Sequence, residues 1–279
     1  MSVQIIVDST ADVAADLKKR MLVVPLTIRF GTTEYVDGIT ITHRQFYEKL
    51  IETDELPTTS QAAPAAFEKV YQQVRAAGDT AVVLTVTSKL SGTYQSAMIA
   101  AADYPEIHVV DTRTVAIGAG ILAELALRLA DSGMSAEGIA QRLEDERENV
   151  RVIAMLDTLE YLKRGGRISK TVAVAGSVLS IKPVLAIEDG EIKLIGKARG
   201  SRQGNNLLVQ EIRKAGGVNF DRPILLGYTG LIDLLLRKYV ADSAELWKGY
   251  RSELPALMIG SVIGTHAGPG AVAVAFFKA

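Results

Sequence analysis

The chain has no cysteine among its 279 residues. That excludes disulfide staples, thiol catalysis and thiolate-bound zinc or iron–sulfur. Histidine is nearly as scarce: the three are His43, His108 and His266, and they do not form a ligand spacing such as H-E-x-x-H. Charge is balanced, with a formal net charge of −1, so no overall field draws nucleic acid or an anionic membrane. Aromatics make up 6% of the chain and do not interleave with the basic residues, which removes a stacking surface for single strands. No G-x-x-x-x-G-K-[ST] loop occurs and no G-x-G-x-x-G follows the first strand, so the usual nucleotide signals are missing. The start of the chain lacks a basic segment followed by an apolar one. The uncharged stretch Thr171 to Ile181 falls short of the roughly 20 residues a membrane span takes. A cytoplasmic protein with no nucleic-acid partner and no metal is expected.

Apolar residues are plentiful, at 48%, enough for one large α/β unit or for two domains. The stretch from Thr80 to Ala101 organises the rest. Ala81 to Val86 is a buried strand signal, Tyr94 to Ala101 has the spacing of a packed helix, and Ser88-Lys89-Leu90-Ser91-Gly92-Thr93 joins them. A strand, a turn of small residues and a helix point free backbone N–H groups at a ligand. Ser91 is placed either to cap that helix or to hold something bound there.

Along the chain, Val3 to Val7 reads as a strand running into Asp8-Ser9-Thr10-Ala11-Asp12 at the kind of carboxyl strand end where ligands gather. The competing reading there is local: Ser9 or Thr10 caps the turn and Asp12 favours the next helix. Leu22 to Phe30 is a strand interrupted by Pro25, Thr42 caps a helix, and Glu52 to Ala63 reads as a polar loop before Pro64 opens another helix. Strands at Ile107 to Val110 and Val150 to Leu156 bracket the long apolar helix Val115 to Ala130. This alternation predicts a mostly parallel sheet flanked by helices. From Asp157 the texture changes. Pro183 to Ile187 and Glu191 to Ile195 flank Asp189-Gly190, a hairpin signal that predicts antiparallel pairing. Glu245 to Arg251 reads as a strand, and Gly264 to Gly270 as a turn around His266. Two α/β domains are expected, residues 1–157 and 158–279, the second with a mixed sheet.

The candidate chemistry is an anion site rich in hydroxyls. Thr59, Ser60, Ser91, the amides of Gly92 and Thr93, and His266 can all donate to one carboxylate or phosphate. Few donors and little fixed charge suit a small, singly charged group better than a triphosphate. The apolar helix Val115 to Ala130 and the segment Val172 to Leu185 would line a space for a long apolar tail, although core packing accounts for the same residues. Gly118 and Gly120 fit close helix packing. Gly165-Gly166 between Arg164 and Arg167 reads as a hinge with solvated charges. A serine hydrolase using Ser91, His266 and Asp8 or Asp111 is the rival, but Ser91 is not in G-x-S-x-G. A phosphate-ligand enzyme and a pure interaction protein are two further rivals.

Several blocks in order resemble the DegV family of bacterial fatty-acid-binding proteins. They are Ile6 to Asp12, Val24-Pro25-Leu26, Thr59-Ser60-Gln61, Leu90 to Ala97, Val110-Asp111-Thr112, Leu159 to Ile168, Ile181-Lys182-Pro183 and Ile263 to Gly270. The resemblance implies a long-chain fatty acid buried between the two domains. Its carboxylate would be held by Thr59, by Ser91 with the adjacent amides, and through a network reaching His266. It implies a carrier with no cofactor and no catalysis of its own. It also implies a separate ATP-dependent fatty acid kinase as partner, with Arg199 and Arg202 as a docking face. Apart from the resemblance, positive charge gathers at Lys163, Arg164, Arg167 and Lys170 and again at Lys193, Lys197, Arg199 and Arg202; such a face can steer an acidic partner or touch a membrane surface transiently, and the competing reading is a solvated surface. The sequence departs from the family at Ala62, where proline usually follows Thr-Ser-Gln, which predicts a more mobile Thr59 loop.

Overall fold

The computed structural model describes residues 2–168, 181–250 and 252–279, and among them the chain forms three sheets. The first is parallel, in the order β2 (Met21–Val24), β1 (Val3–Asp8), β6 (Thr80–Thr85), β7 (Ile107–Asp111). The five residues Ala81–Thr85 of β6 are all buried, as expected of a strand covered on both faces. Helices Pro64–Ala76 and Thr93–Ala101 cover one face through Phe67, Tyr71 and Ala97. Helices Ile117–Asp131 and Ala136–Glu146 cover the other.

The second sheet is mixed, in the order β10 (Glu191–Arg199), β9 (Ile181–Glu188), β8 (Val150–Met155), β13 (Val272–Phe277), β11 (Leu225–Tyr228), β12 (Ala256–Met258). Only the β11–β12 pair is parallel. The hairpin turn falls at Asp189-Gly190, with φ of 51° and 80°, the left-handed backbone that tight two-residue turns need. A small antiparallel sheet, β4 (Thr33–Val36), β3 (Thr27–Phe30), β5 (Thr58–Ser60), flanks the first.

The helix Ile117–Asp131 lies between the two large sheets. Its core partners include Ile5, Val7 and Val82 on one side and Val152, Ala273 and Ala275 on the other. A helix enclosed this way is apolar toward both sheets, and its charged pair, Glu124 and Arg128, lies on the remaining side. Its glycines permit the approach: a Cβ on Gly118 would fall 2.4 Å from the Val152 side chain, and one on Gly120 would fall 1.9 Å from the Asp12 carbonyl.

Four expectations need correction. β8 is bonded between β9 and β13, so by sheet membership the chain divides ahead of Val150 rather than at Asp157. Val150 to Leu156 follows a helix like the earlier strands, and nothing local marks the change of sheet. The loop 52–63 contains β5, which pairs Thr59 with Ile28. Residues 244–247 are helical rather than extended, because Trp247 turns inward to pack on Tyr239 and bond Ser243 Oγ at 3.0 Å. His266 sits on a helix, Ser261–Ala267, not in a turn; Gly264 is there because a Cβ would meet the Tyr47 hydroxyl at 2.5 Å. Lys170 and the apolar segment from Thr171 to Ser180 lie outside the described residues.

Candidate functional site

Three separate parts of the chain converge at the carboxyl ends of β1 and β6. The first is the loop after β6. Thr87 Oγ1 donates to the Gly190 carbonyl at 3.1 Å, and Asp111 Oδ1 accepts from Ser88 N at 3.2 Å. Ser91 follows, with its Oγ 2.9 Å from Thr93 Oγ1 and accepting from Thr93 N at 3.3 Å. The second is β5, whose ladder to β3 fixes Thr59 and Ser60. Gln61 folds over the loop: its Nε2 donates to Ser96 Oγ at 3.0 Å, and its Oε1 lies 2.1 Å from where a Cβ on Gly92 would stand. Glycine at 92 therefore serves close approach, not backbone freedom. The third part is the helix Ser261–Ala267 with His266 in its last turn.

Thr59 Oγ1 and His266 Nε2 are 2.8 Å apart. The other ring nitrogen, Nδ1, is buried and has no hydrogen-bond partner among the described residues. Burial, with the nearby Arg167 acting in the same sense, pushes the imidazole down to about 4. The ring is thus neutral at pH 7 and acts by hydrogen bonding, not by charge. Gly165 makes room for it, since a Cβ there would stand 2.2 Å from Nδ1. Arg167 donates from Nε to the Leu90 carbonyl at 3.2 Å and from Nη1 to the Gly165 carbonyl at 2.7 Å.

These groups border a partly open cavity between the two large sheets. Its polar lining is Thr10, Thr59, Ser60, Gln61, Ser91, Arg167 and His266. The rest is aliphatic, from Leu26, Val86 and Val115 through Val152 and Leu185 to Ile259 and Ile263. A second depression, lined by Leu56, Pro57, Tyr161 and Arg164 among others, shares Thr59, Arg167 and His266 with the first. The polar cluster therefore stands where the aliphatic cavity and this second depression, a vestibule, meet. Such a site can pair an acidic group with hydroxyls and an imidazole while shielding an apolar chain from water.

Of the residues expected from sequence, Thr59, Ser60, Ser91 and His266 meet at this cavity, but Gly92 and Thr93 support it from behind. Arg199 and Arg202 are exposed and line neither opening. Arg167 is hidden in what reads as a hinge. Its role depends on contacts with Leu90 and His266, and no spacing along the chain encodes those. Ala62, 2% exposed, packs in the core beside a Thr59 that its strand holds, which does not fit the mobile loop expected there. Among Asp8 to Asp12, Ser9 Oγ accepts from Leu26 N at 3.1 Å, and the helix Ala15–Lys18 has no side-chain cap. The contacts of a Ser–His–Asp triad are absent among the described residues: Ser91 meets Thr93, His266 meets Thr59, and Nδ1 meets no carboxylate.

Comparison with known proteins bears on this arrangement. Residues 2–279 match the family described as uncharacterised protein, DegV family. A DegV domain-containing protein of Caldanaerobacter subterraneus is 36% identical over 280 residues, covering 98% of each chain. A solved DegV family protein from Thermus thermophilus, described by its fatty acid binding, is 30% identical over 100% of both chains with a TM-score of 0.88. A solved stearic-acid-binding protein from Eubacterium ventriosum is 26% identical, over 100% of this chain and 98% of the other, with a TM-score of 0.86.

Proposed function

The chain belongs to the DegV family, and we propose that it is a carrier that binds one long-chain fatty acid, tail in the aliphatic cavity and carboxylate at Thr59, Ser60, Ser91 and His266. One observation carries the reading: an otherwise aliphatic cavity has a few polar side chains in its lining, and the bonded Thr59–His266 pair among them stands where it meets the vestibule. The fatty-acid-binding relatives support it.

The chemistry is directional. A carboxylate only accepts, so Thr59 must donate to it. The Thr59 oxygen then accepts from His266, which requires the tautomer with its proton on Nε2. Ser91 Oγ donates in the same way, with Thr93 behind it, and Arg167 adds positive potential without occupying the neutral ring's place. Together these offset the cost of taking a carboxylate out of water. Each buried CH₂ of the tail adds roughly 0.8 kcal/mol, less the cost of ordering it.

The finer proposal is presentation. A carboxylate at Thr59 would lie on the inner side of the vestibule, where a separate ATP-dependent fatty acid kinase would reach it without extracting the tail. Arg164 and Arg167, which line the vestibule, suit such a partner better than Arg199 and Arg202, which line neither opening. No helix among the described residues is long and apolar enough to cross a membrane, and a cytoplasmic location is part of this proposal.

Denaturing extraction of the purified protein followed by mass spectrometry tests the core reading. We expect one long-chain fatty acid per chain. Protein that carries no lipid, and that takes up none from fatty acid added in excess, would overturn it.

A further inference from the structure

The Asp8–Asp12 loop makes no contact that the fatty-acid reading uses directly, yet it ends in one of the longest-range hydrogen bonds in the molecule. Asp12, 4% exposed, accepts from the backbone N–H of Gly260 through Oδ1 at 2.8 Å, across 248 residues of sequence. Gly260 is the residue that opens the helix Ser261–Ala267, and it brings no capping side chain of its own. A Cβ there would stand 3.0 Å from Asp12 Oδ1 and 3.2 Å from His43 Nε2, so the carboxyl is fitted closely against the helix entry. One residue earlier, the Tyr47 hydroxyl donates to the Ile259 carbonyl at 2.9 Å. Asp12 is itself fixed from behind: its N–H donates to the Ala116 carbonyl at 3.3 Å, and Ala116, at φ 51°, lines the cavity.

From this geometry we infer that Asp12 and Tyr47 are positioning residues for His266: they set the entry of a two-turn helix whose far end carries the imidazole. Gly260 and His266 are six residues apart, about 9 Å along a helix axis. Over so short a rod, a shift at one end moves the other by a similar amount. The Thr59–His266 bond tolerates little of that before it is lost.

Asp12 is suited to this as a neutral group. Burial pushes its carboxyl up to about 8, with Asp37 and Asp8 acting in the same sense and the Gly260 N–H and Lys18 opposing. Its Oδ2 has no hydrogen-bond partner among the described residues. A neutral carboxyl that accepts through one oxygen is mimicked by an asparagine amide, but not by alanine.

The inference rests on the fatty-acid reading, and the test separates the two. Affinities for palmitic acid and for hexadecanol are compared in wild type and in Asp12→Asn, Asp12→Ala, Tyr47→Phe and His266→Gln. Asp12→Ala should weaken the acid about tenfold, the loss of one charge-assisted hydrogen bond, and leave the alcohol nearly unchanged. Tyr47→Phe should do the same to a smaller degree, and Asp12→Asn should restore the wild-type ratio. If Asp12→Ala does not fold, Tyr47→Phe carries the same acid-against-alcohol comparison. Equal losses for acid and alcohol in Asp12→Ala or Tyr47→Phe, with His266→Gln still selective against the acid, would overturn the positioning role. If His266→Gln itself does not discriminate, the head-group reading fails instead.

Discussion

The loops after β1 and β6 occupy equivalent places, at the carboxyl ends of two strands that pair in parallel. Their sequences, DSTAD and SKLSGT, are both short and rich in hydroxyls. They nevertheless do different work. In the first loop Asp8 consumes the available donors: Oδ1 accepts from Thr10 N at 2.8 Å and Thr10 Oγ1 at 2.6 Å, and Oδ2 accepts from Val86 N at 2.6 Å. That loop is closed on itself, and Thr10 presents a committed hydroxyl to the cavity. The second loop has no carboxylate of its own. Its anchors, Asp111 and Gly190, come from outside and grip its start, leaving Ser91 at the cavity with only the hydroxyl and N–H of Thr93 beside it and its own proton to donate. A polar group is available to a ligand when its loop is satisfied by something else.

Breaking the closed loop should cost the most. Asp8→Ala strands three buried donors, and we expect a loss of about 4 kcal/mol in chemical denaturation at neutral pH. A loss under about 1 kcal/mol would mean that the loop is not the rigid half of the pair. Next in size is a pH effect at the open side. The His266 imidazole titrates near 6.5 when unfolded and is pushed down to about 4 when folded. Between those values the unfolded chain binds the extra proton, so stability falls as pH drops from 6.5 toward 4, by about 3 kcal/mol at most. Asp12, pushed up to about 8, works in the opposite sense and loses stability as pH rises from 3.8. The difference in stability between wild type and His266→Gln should therefore shrink on acidification; a difference independent of pH would contradict a buried neutral ring.

Gly165→Ala sharpens the comparison further. A methyl 2.2 Å from His266 Nδ1 must push the ring off Thr59, and about 2 kcal/mol of stability should go with it. The affinity for acid should fall more than that for alcohol, by calorimetry or competition. Smallest are the hydroxyl deletions. Ser91→Ala and Thr59→Ala should each weaken acid binding by about 1–2 kcal/mol and hardly move the denaturation midpoint. Equal losses for an alcohol of the same length would show that the hydroxyls do not read the carboxylate.

Much of the architecture is written locally. The run Thr80–Thr85, the Asp189-Gly190 turn, Pro64 at a helix start and Thr42 with its reciprocal Gln45 bond are each settled by residues a few positions apart. The candidate site is legible only in part. Ser91 stands out because its strand, turn and helix are contiguous. Thr59 reads as loop, because its partner Ile28 is 31 residues upstream. His266 reads as a turn residue because glycines flank it on both sides; Gly264 makes room for Tyr47 inside the helix, and the turn begins only at Gly268, at φ 69°. Asp12 reads as serving the next helix and instead serves the one entered at Gly260.

Apart from β5 and the helices at 244–247 and 261–267, sequence alone determined most of the strands and helices, the caps and turns that join them, and which hydroxyls sit at the ends of β1 and β6. These depend on hydrogen bonds and periodicities among near neighbours, and such neighbours are fixed by covalent order. Tertiary structure alone decided that β8 belongs to the second sheet, that Gly165 and Arg167 face His266, and that the aliphatic residues between the sheets leave a space. A void is a sum over side chains brought together from distant parts of the chain, and the same residues packed slightly closer would have made an ordinary core.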